Sequence, residues 1–551
     1  MSAVRRALAL AVAALTLTVA APAALADPPL PSADPFYSYN AAQLNGVAPG
    51  TILRERTISN ADLGTSTPIS ATQVLYRTSN EAGQPAATVT TIISPSSGTS
   101  PTATKIVSYQ TAYDALGSVC DPSYTLQGGN SGYDSDEQTL IGSYVDEGYT
   151  VIDSDYEGTN LDWGAGQESG YTTLDGIRAA ENLLKLPVAS TPVGMVGYSG
   201  GSIATEFASE LAPTYAPKLD IVGVAEGGIP VDFAHNLTYV NGSADWSGVI
   251  PAVLVGVGRG FGIDIAPYLS AEGTQITNTV SSQCINNFLG NYPGLTIQQL
   301  LKPQYQNFLG IPIFAKTINH LIMSDTGTPK GPLFIGVGNQ DGTGDGVMIA
   351  DDDEALAHTY CQRGVSVQFN VYSGQDHDNA AVPFEAGAQQ FLAQRLNGLP
   401  VTDGCSSIGA GNSLAPVPVP SGQSGAGSSP GTHAGSKPAP KLRMRYLGRA
   451  AAKHGVAVSL WTTTGSLTKV TVRLRRAGRT VDTVHLARVR TRKRRVILRV
   501  KGKMPRAGRY TVTAARRGKT LDRHTFRLRY ARRGPRRRQA DSAGSAGAPT
   551  A

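Results

Sequence analysis

The pentapeptide Gly-Tyr-Ser-Gly-Gly at residues 197–201 constrains the fold more than any other feature of this chain. It follows the short apolar run 193–196 and opens a helix-like stretch that extends to Leu211. A Gly-x-Ser-x-Gly motif between a strand and a helix is typical of a nucleophile elbow, where a sharp turn exposes the serine hydroxyl. Larger side chains beside a serine held at positive φ would collide with the backbone. Ser199 is therefore the candidate nucleophile; the alternative is a chance turn, since the chain contains 62 glycines.

Strand-like and helix-like segments alternate around this motif. Runs rich in β-branched residues predict strands at residues 73–77, 87–93, 105–109, 150–154, 219–225, 332–338 and 365–372. Helices are predicted at 135–147, 172–185, 350–363 and 383–396, and the helix after Ser199 is expected to end at Pro213. This alternation predicts an α/β fold with a mainly parallel sheet that is covered on both faces.

The alternation stops between about residues 227 and 330, where apolar, Gly-rich and Pro-rich segments replace it. An insertion at this point predicts a cap over the active site, because a buried apolar substrate needs walls that a bare sheet edge lacks. The alternative is that these segments are ordinary core helices of an elaborated domain.

A general base must reach Ser199 from a later strand end, and His377 follows a predicted strand in a glycine-containing turn. The other seven histidines lie in the predicted cap, on a helix or beyond this domain. Asp341 and Asp345 both follow the strand at 332–338, and either fits the acid position of a Ser-acid-His order. The acidic run 351–354 is interpreted as a solvated helix start.

Four segments together resemble the secretory lipase family typified by the fungal lipase A: Tyr156-Glu157-Gly158, Leu174 to Ala179, the motif at 197–201 and the turn with His377. The resemblance covers roughly residues 35–405. It implies an α/β-hydrolase fold with a lid and triacylglycerol lipase or esterase activity on lipid esters, without a metal or cofactor.

The resemblance also implies roles for individual residues. Ser199 would be the nucleophile and His377 the base, and the backbone amides of Asp114 and Gly200 would form the oxyanion hole. The family's spacing favours Asp345 as the acid, whereas counting forward from the strand favours Asp341, which stays as the alternative.

The chain has four cysteines, Cys120, Cys284, Cys361 and Cys405, and no C-x-x-C spacing. An even number in an exported chain favours two disulfides over metal ligation, and the residues alone allow three pairings. The resemblance implies Cys120–Cys284 and Cys361–Cys405, with mixed pairing as the alternative.

Residues 1–26 have the features of a secretory signal peptide. Arg5 and Arg6 precede the apolar run 7–21, and Ala24-Leu25-Ala26 forms a small-residue cleavage site. Pro22 and this site argue against a membrane anchor, and no later run is long and apolar enough to span a bilayer. We therefore expect a secreted protein whose catalytic domain occupies residues 27–405.

Charge divides the chain into two parts of opposite sign. Residues 441–551 hold 32 of the 48 Lys and Arg but 3 of the 41 Asp and Glu, a net charge of +29; the rest holds 16 and 38, a net charge of −22. The sequence predicts an extended, mobile Gly/Ser/Pro linker at 406–440, a basic β-sandwich at 441–533 and an Arg-rich, then disordered tail at 534–551.

Such a basic appendage predicts attachment to an acidic partner. Anionic cell-wall polymers, anionic lipid and extracellular nucleic acid are the options for an exported chain, and a solubilising or structural sandwich is the alternative. The whole sequence thus predicts a secreted serine ester hydrolase of the lipase type. Its rivals are a peptidase on the same fold and a wall- or surface-binding protein whose hydrolase domain is inactive.

Overall fold

A computed structural model describes residues 27–59, 61, 63–96, 105–131 and 135–420, and seven strands at 442–449, 455–462, 466–476, 479–490, 494–499, 508–516 and 519–528. The predicted signal peptide, residues 421–440 of the predicted linker and the arginine-rich tail lie outside the described residues. The chain divides into two compact units, Met1–Ser424 and Gly425–Ala551.

The first unit is built on a sheet of nine strands among the residues described. These are β1 (Ile52–Ile58), β2 (Ile69–Ser79), β3 (Pro85–Pro95), β4 (Ile106–Gln110), β5 (Thr150–Ser154), β6 (Pro192–Tyr198), β7 (Asp220–Gly227), β8 (Leu333–Asn339) and β9 (Val367–Ser373). Their order across the sheet is β1-β2-β3-β5-β4-β6-β7-β8-β9. The pairs from β1 to β5 are antiparallel, and those from β5 through β4 to β9 are parallel. The predicted α/β fold is confirmed.

Helices follow or separate these strands. They are α1 (Pro122–Thr125), α2 (Ser135–Asp146), α3 (Gly166–Leu184), α4 (Gly200–Tyr215), α5 (Phe233–Tyr239), α6 (Val249–Gly260), α7 (Ala271–Val280), α8 (Ile285–Phe288), α9 (Ile297–Leu300), α10 (Pro312–His320), α11 (Ala350–Gln362) and α12 (His377–Leu396). Helices α5 to α10 lie between β7 and β8, so the predicted cap is a helical insertion of the α/β-hydrolase fold.

Successive residues of the central strands enter different cores because side chains alternate between the two faces of a sheet. Met195 and Val224 pack with Leu174 of α3 and Phe207 of α4 on one face. Val196, Ala225 and Phe334 pack with residues of α2 and α12 on the other. The parallel strands are therefore buried on both sides, which explains their continuous apolar runs.

Three helix boundaries differ from the prediction. Helix α3 begins six residues before residue 172, α4 continues past Pro213 to Tyr215, and α12 begins at His377 with Pro383 inside it. A proline removes one backbone donor from a helix, but the buried faces of α4 and α12 continue to pack on the sheet and keep the turns intact. The entry segment also contains β1, which the sequence did not predict.

The predicted linker boundary at residue 406 is too early. Asn319 of α10 donates to the carbonyl of Val417 and accepts from its amide, both at 2.8 Å. Asn412 donates to Asp352 at 2.7 Å, and Ile408 and Leu414 pack against the core. Paired backbone groups and buried apolar side chains thus hold the chain on the first unit as far as Val417.

The second unit consists of two antiparallel sheets. Strands β10 (Leu442–Arg449), β11 (Gly455–Thr462) and β14 (Arg494–Arg499) form one, and β13 (Arg479–Arg490), β12 (Ser466–Arg476), β15 (Gly508–Arg516) and β16 (Lys519–Leu528) form the other. Alternate residues of both sheets, such as Leu460, Val472 and Val512, enter one apolar cluster. The predicted small all-β domain is confirmed.

Candidate active site

Ser199 lies in the sharp turn between β6 and α4. Its backbone has φ +55° and ψ −124°, a strained conformation for a residue with a side chain. A Cβ atom at Gly197 would lie 2.4 Å from the carbonyl oxygen of Gly201, and one at Gly201 would lie 2.0 Å from that of Gln110. The glycines of the motif are therefore required by close backbone approach, as the sequence predicted.

Three side chains form a hydrogen-bonded line at this turn. Nε2 of His377 lies 2.7 Å from Oγ of Ser199, and Nδ1 lies 2.7 Å from Oδ2 of Asp345. The second oxygen of Asp345 accepts from the amides of Val347 and Met348 at 3.0 and 2.7 Å. Both oxygens of this buried carboxylate are thus occupied, and they hold the imidazole in one orientation.

Asp341, the alternative acid, is directed elsewhere. Its carboxylate accepts from the amides of Thr343 and Gly344 at 2.8 and 3.1 Å, within its own turn. The structure therefore brings Asp345, and not Asp341, to His377. His377 itself lies at the first position of α12, whereas the sequence placed it in a turn.

Charges around His377 favour its protonated form. Burial alone would lower the pKa of His377, but the charges of Asp345, Asp378 and Asp114 and the hydrogen bond from Asp345 raise it above its usual value. A raised pKa suits a base that must hold a proton during the reaction. Burial also raises the pKa of the Asp114 carboxyl to about 6.

Asp114 and Gly200, the predicted oxyanion pair, lie side by side at the nucleophile. A Cβ atom on Gly200 would fall 1.6 Å from Oδ1 of Asp114, so any larger residue there would collide with the Asp114 side chain. Asp114 has a φ of +40°, a second strained position beside Ser199. Strain of this kind persists only where surrounding contacts fix the backbone.

Those contacts come from the Tyr156-Glu157-Gly158 segment. Both oxygens of Glu157 lie within 3.3 Å of the amide of Ala115, and the amide of Glu157 donates to the Tyr113 hydroxyl at 2.7 Å. The Tyr156 hydroxyl donates to the carbonyl of Thr111 at 2.8 Å. This segment, which carries part of the family resemblance, therefore holds the loop that contains Asp114, a role that its sequence alone does not indicate.

The same loop is joined covalently to the cap. Cys120 and Cys284 form a disulfide that connects positions 164 residues apart, and Cys361 pairs with Cys405. These are the pairings that the family resemblance implied. Ala115 also forms an isolated β-bridge with Cys284, so the oxyanion loop and the cap are fixed to each other at two points.

An apolar pocket begins at Ser199; the empty space in it, with the space open to solvent included, is about 600 Å³. The cap contributes most of its walls, including Phe233, Leu237, Trp246, Val249, Val253 and Ile285, and Asp114 is the charged residue among those that line it. The site can therefore accept an extended apolar group next to the Ser199 hydroxyl.

A group of buried carboxyls lies behind the site. Tyr360 of α11 donates to Glu206 and, at 2.8 Å, to Glu210, both on α4, and Glu226 of β7 is fully buried near them. Glu210 accepts from the amides of Ser324, Thr326 and Gly327 where the cap ends. Burial raises the pKa of Glu226 to about 8 and raises those of Glu206 and Glu210 well above their usual value.

The interpretation of residues 351–354 as a solvated helix start is wrong for two of them. Asp353 is fully buried and accepts from the amide of Ile229, where the cap begins, at 3.3 Å. Asp352 is buried too and contacts Nδ1 of His235 at 3.0 Å. Their partners come from distant parts of the chain, so local sequence could not indicate that these carboxyls are inside.

The described residues contain neither a metal-binding cluster nor a membrane-spanning helix. No group of three or more His, Cys, Asp or Glu side chains among them is arranged to hold a metal ion. None of the helices described combines the length and the apolar character needed to cross a bilayer.

Comparison with known proteins gives a consistent result. The family model for secretory lipases matches residues 133–404. A probable inactive lipase of Mycobacterium tuberculosis is 33% identical over 387 residues, 68% of this chain and 84% of that relative. A secreted triacylglycerol lipase of Malassezia furfur is 31% identical over 394 residues, 68% and 77% of the two chains. The solved structure of Candida antarctica lipase A is similar with a TM-score of 0.63 and 29% identity, over 69% of this chain and 89% of that one.

Proposed function

The chain belongs to the secretory lipase family, and from that premise we propose that it is a secreted serine hydrolase of lipid esters, a triacylglycerol lipase or carboxylesterase. The observation that carries the proposal is the hydrogen-bonded line from Asp345 through His377 to Ser199 at one end of an apolar cavity. A nucleophile, a base and an orienting acid in this order are what acyl transfer requires.

In the first half of the reaction, Nε2 of His377 accepts the proton of the Ser199 hydroxyl as Oγ attacks the ester carbonyl carbon. The carbonyl oxygen becomes an oxyanion, which the backbone amides of Gly200 and Asp114 stabilise. Each such donor contributes about 3 kcal/mol in well-studied hydrolases. Asp345 holds the imidazole and stabilises its positive charge.

In the second half, the tetrahedral intermediate collapses and His377 gives the proton to the departing alkoxide. The acyl group is then esterified to Ser199. Water enters, loses a proton to His377 and attacks the acyl carbon, which releases the fatty acid and restores the Ser199 hydroxyl. The raised pKa of His377 favours the imidazolium that both steps need.

The cavity favours an ester with an apolar acyl group over a peptide. Its walls are mostly aliphatic and aromatic, and no Lys or Arg is among the described residues that line it. A peptidase that binds a charged chain terminus would need a complementary charge at that place. Asp114, the charged residue of the lining, belongs to the proposed oxyanion hole, so the described lining offers no separate charge to such a terminus.

The test is hydrolysis of p-nitrophenyl butyrate, p-nitrophenyl palmitate and emulsified triolein by the full chain, by Ser199→Ala and by a chain that ends at residue 424. We expect the full chain and the shortened chain to hydrolyse all three and Ser199→Ala to hydrolyse none. The shortened chain should end at 424 because residues up to Val417 are bound to the first unit.

One relative is named as an inactive lipase, which makes loss of activity the main rival. His377 lies within hydrogen-bonding distance of both Ser199 and Asp345, which supports an active enzyme. A full chain that hydrolyses none of the esters would overturn the proposal and favour a binding protein with an inert hydrolase domain.

We also propose that the second unit attaches the enzyme to a linear anionic polymer of the cell envelope, such as a polyol phosphate. Arg473 and Arg475 of β12 are exposed, while Val472 and Leu474 between and beside them are buried. On β13, His485, Arg488 and Arg490 are exposed. Leu467 and Val470 on β12 and Leu486 and Val489 on β13 are all buried, so the alternation of both strands breaks near Lys469, whose φ is +55°. The exposed side chains on either side of this break therefore lie on one outer face about 30 Å long.

Exposed arginines without intervening apolar side chains suit phosphate groups better than the interior of a membrane. The test is retention on beads that carry poly(glycerol phosphate), at low and high salt. We expect the full chain to bind and the chain ending at 424 to pass through, with retention falling as salt rises. Arg473→Gln/Arg475→Gln should weaken binding more than the matched control Arg479→Gln/Arg494→Gln. Equal retention of the full and shortened chains would contradict the proposal.

A further inference from the structure

The imidazole of His377 is held between two aromatic rings that belong to different parts of the first unit. Tyr198 of β6 lies with its ring centroid 4.9 Å from that of His377 and donates its hydroxyl to the His377 carbonyl at 2.8 Å. Trp246, between α5 and α6 of the cap, lies 5.1 Å away with its ring nearly perpendicular at 84°. One of the two rings that contact the His377 imidazole therefore belongs to the cap.

The cap also forms hydrogen bonds with the backbone of the loop that carries Asp345. Nδ2 of Asn236, on α5, donates to the carbonyl of Val347 at 2.8 Å. The Tyr239 hydroxyl accepts from the amide of Gly346 at 3.1 Å. Gly346 and Val347 directly follow Asp345 in sequence, and the Val347 amide is one of the two that bind its carboxylate. These cap side chains therefore hold the turn that orients the acid.

The acid loop is held by hydrogen bonds of its own as well as by the cap: Nε2 of Gln340 donates to the Asp345 carbonyl, and the amides of Thr343 and Gly344 donate to Asp341. It contains three glycines, Gly342, Gly344 and Gly346, of which the first and last have φ of +88° and +116°. Glycine leaves the backbone free to adopt many conformations. The cap adds two contacts to this internal network, at the residues next to Asp345, where the backbone of Gly346 is in the left-handed region.

We infer that Asn236, Tyr239 and Trp246 form a clamp through which the cap positions Asp345 and His377. This inference rests on the function proposed for the site. The three are positioning residues, and the position of the cap decides whether the line from Asp345 to Ser199 is assembled. Substrate binding under the cap and alignment of the catalytic groups are thus coupled through one element.

Tyr239 gives the sharpest test, because it is not among the residues that line the cavity. Tyr239→Phe keeps the ring and removes the hydroxyl that binds Gly346. We expect kcat for p-nitrophenyl butyrate to fall about threefold to tenfold, as for loss of one hydrogen bond, with KM unchanged. Tyr268→Phe is the matched control, since this cap tyrosine is also half-buried but packs on Tyr305 and Phe314.

The pKa of His377 provides a readout that a merely structural role would not move. Asp345, Asp378 and Asp114 are the charges that raise this pKa, and Asp345 contributes most among them. A loosened acid loop weakens the contact with Asp345, so the pKa of His377 should fall in Tyr239→Phe and stay constant in Tyr268→Phe. NMR of chain labelled at the histidine rings measures it without any substrate.

Trp246 gives a second test through rescue. Trp246→Leu removes the ring beside His377 and should lower kcat by about 10- to 100-fold, whereas Trp246→Phe keeps an aromatic contact and should recover most of it. Val253→Ala removes a cap side chain that lines the cavity without touching His377, and should change KM more than kcat.

The possible outcomes distinguish a failure of the clamp from a failure of the proposed function. If Tyr239→Phe and Trp246→Leu match their controls in kcat and in the pKa of His377, the clamp is wrong even though the enzyme is active. If the wild type hydrolyses no ester, the proposed function fails, while the NMR comparison still decides whether the cap positions His377.

Discussion

The two units of this chain place their charges in opposite ways. In the first unit, carboxyl groups such as Glu206, Glu210 and Asp353 are buried, each beside a particular hydrogen-bond partner. In the second unit, Arg473, Arg475, Arg488 and Arg490 project from a sheet whose apolar residues face inward. A buried charged group depends on its partners, whereas exposed charges are nearly interchangeable. Single substitutions of charged residues should therefore lower stability or activity strongly in the first unit and weakly in the second.

The largest expected effect distinguishes the two acids of one loop. Asp345→Asn should lower kcat for ester hydrolysis by about 10³- to 10⁴-fold, because the amide cannot hold the imidazole in the required tautomer. Asp341→Asn should stay within about threefold of wild type, because Asp341 accepts from amides of its own turn and lies beside the Tyr239 hydroxyl, without contacting His377. Steady-state kinetics on p-nitrophenyl butyrate measures both, and equal losses would contradict the assignment.

The second-largest expected effect is a loss of stability when the disulfide between the cap and the oxyanion loop is removed. Cys120→Ser/Cys284→Ser removes a disulfide that closes a loop of 164 residues. We expect the free energy of unfolding of the first unit to fall by about 3 to 5 kcal/mol. Urea denaturation followed by tryptophan fluorescence measures it, with the full chain as reference. A change below about 1 kcal/mol would show that the cap is held well enough without the link.

The buried carboxyls predict an unusual pH dependence of stability. Burial raises the pKa of Glu226 to about 8, so the folded state keeps a proton that the unfolded chain loses near pH 4.5. This contribution is fully present below pH 4.5 and is lost as the pH rises towards 8, at up to about 1.4 kcal/mol per pH unit. The melting temperature should therefore fall between pH 5 and 8. Glu226→Gln, which is neutral at every pH, should flatten the curve; an identical slope in this variant would contradict the assignment.

The smallest effect is expected in the second unit. Arg473→Gln/Arg475→Gln removes two exposed charges whose neighbours form the apolar core. The free energy of unfolding should change by less than about 0.5 kcal/mol, and hydrolysis of p-nitrophenyl butyrate should be unaffected. A large loss of stability would mean that these arginines have structural partners and that the two units are less different than proposed.

The features that the sequence could predict are those fixed by local backbone geometry. Ser199 was identifiable because only glycine is tolerated around a serine at positive φ. The cap was identifiable because the alternation of strands and helices stops after β7 and resumes at β8. The disulfides required the family resemblance, since four cysteines alone allow three pairings.

Other features depend on partners from distant parts of the chain. Asp341 and Asp345 are four residues apart in one glycine-rich loop, and only the tertiary contact with His377 separates them. The acidic run at the start of α11 is typical of a solvated helix end. Asp353 is nevertheless buried, and its carboxylate accepts a hydrogen bond from the amide of Ile229. The composition around Asn412 and Val417 predicts a linker. Their hydrogen bonds with Asp352 and Asn319 show that both residues are part of the first unit.

The central claim is that Ser199 carries the acyl group during turnover. The most direct measurement is mass spectrometry of the chain after reaction with an alkyl fluorophosphonate, which traps the nucleophile of serine hydrolases. The account predicts one adduct per chain, located on the peptide with Ser199, and none in Ser199→Ala or, at the same exposure, in a chain with His377→Ala. An adduct on another residue, or ester hydrolysis that persists in Ser199→Ala, would contradict it.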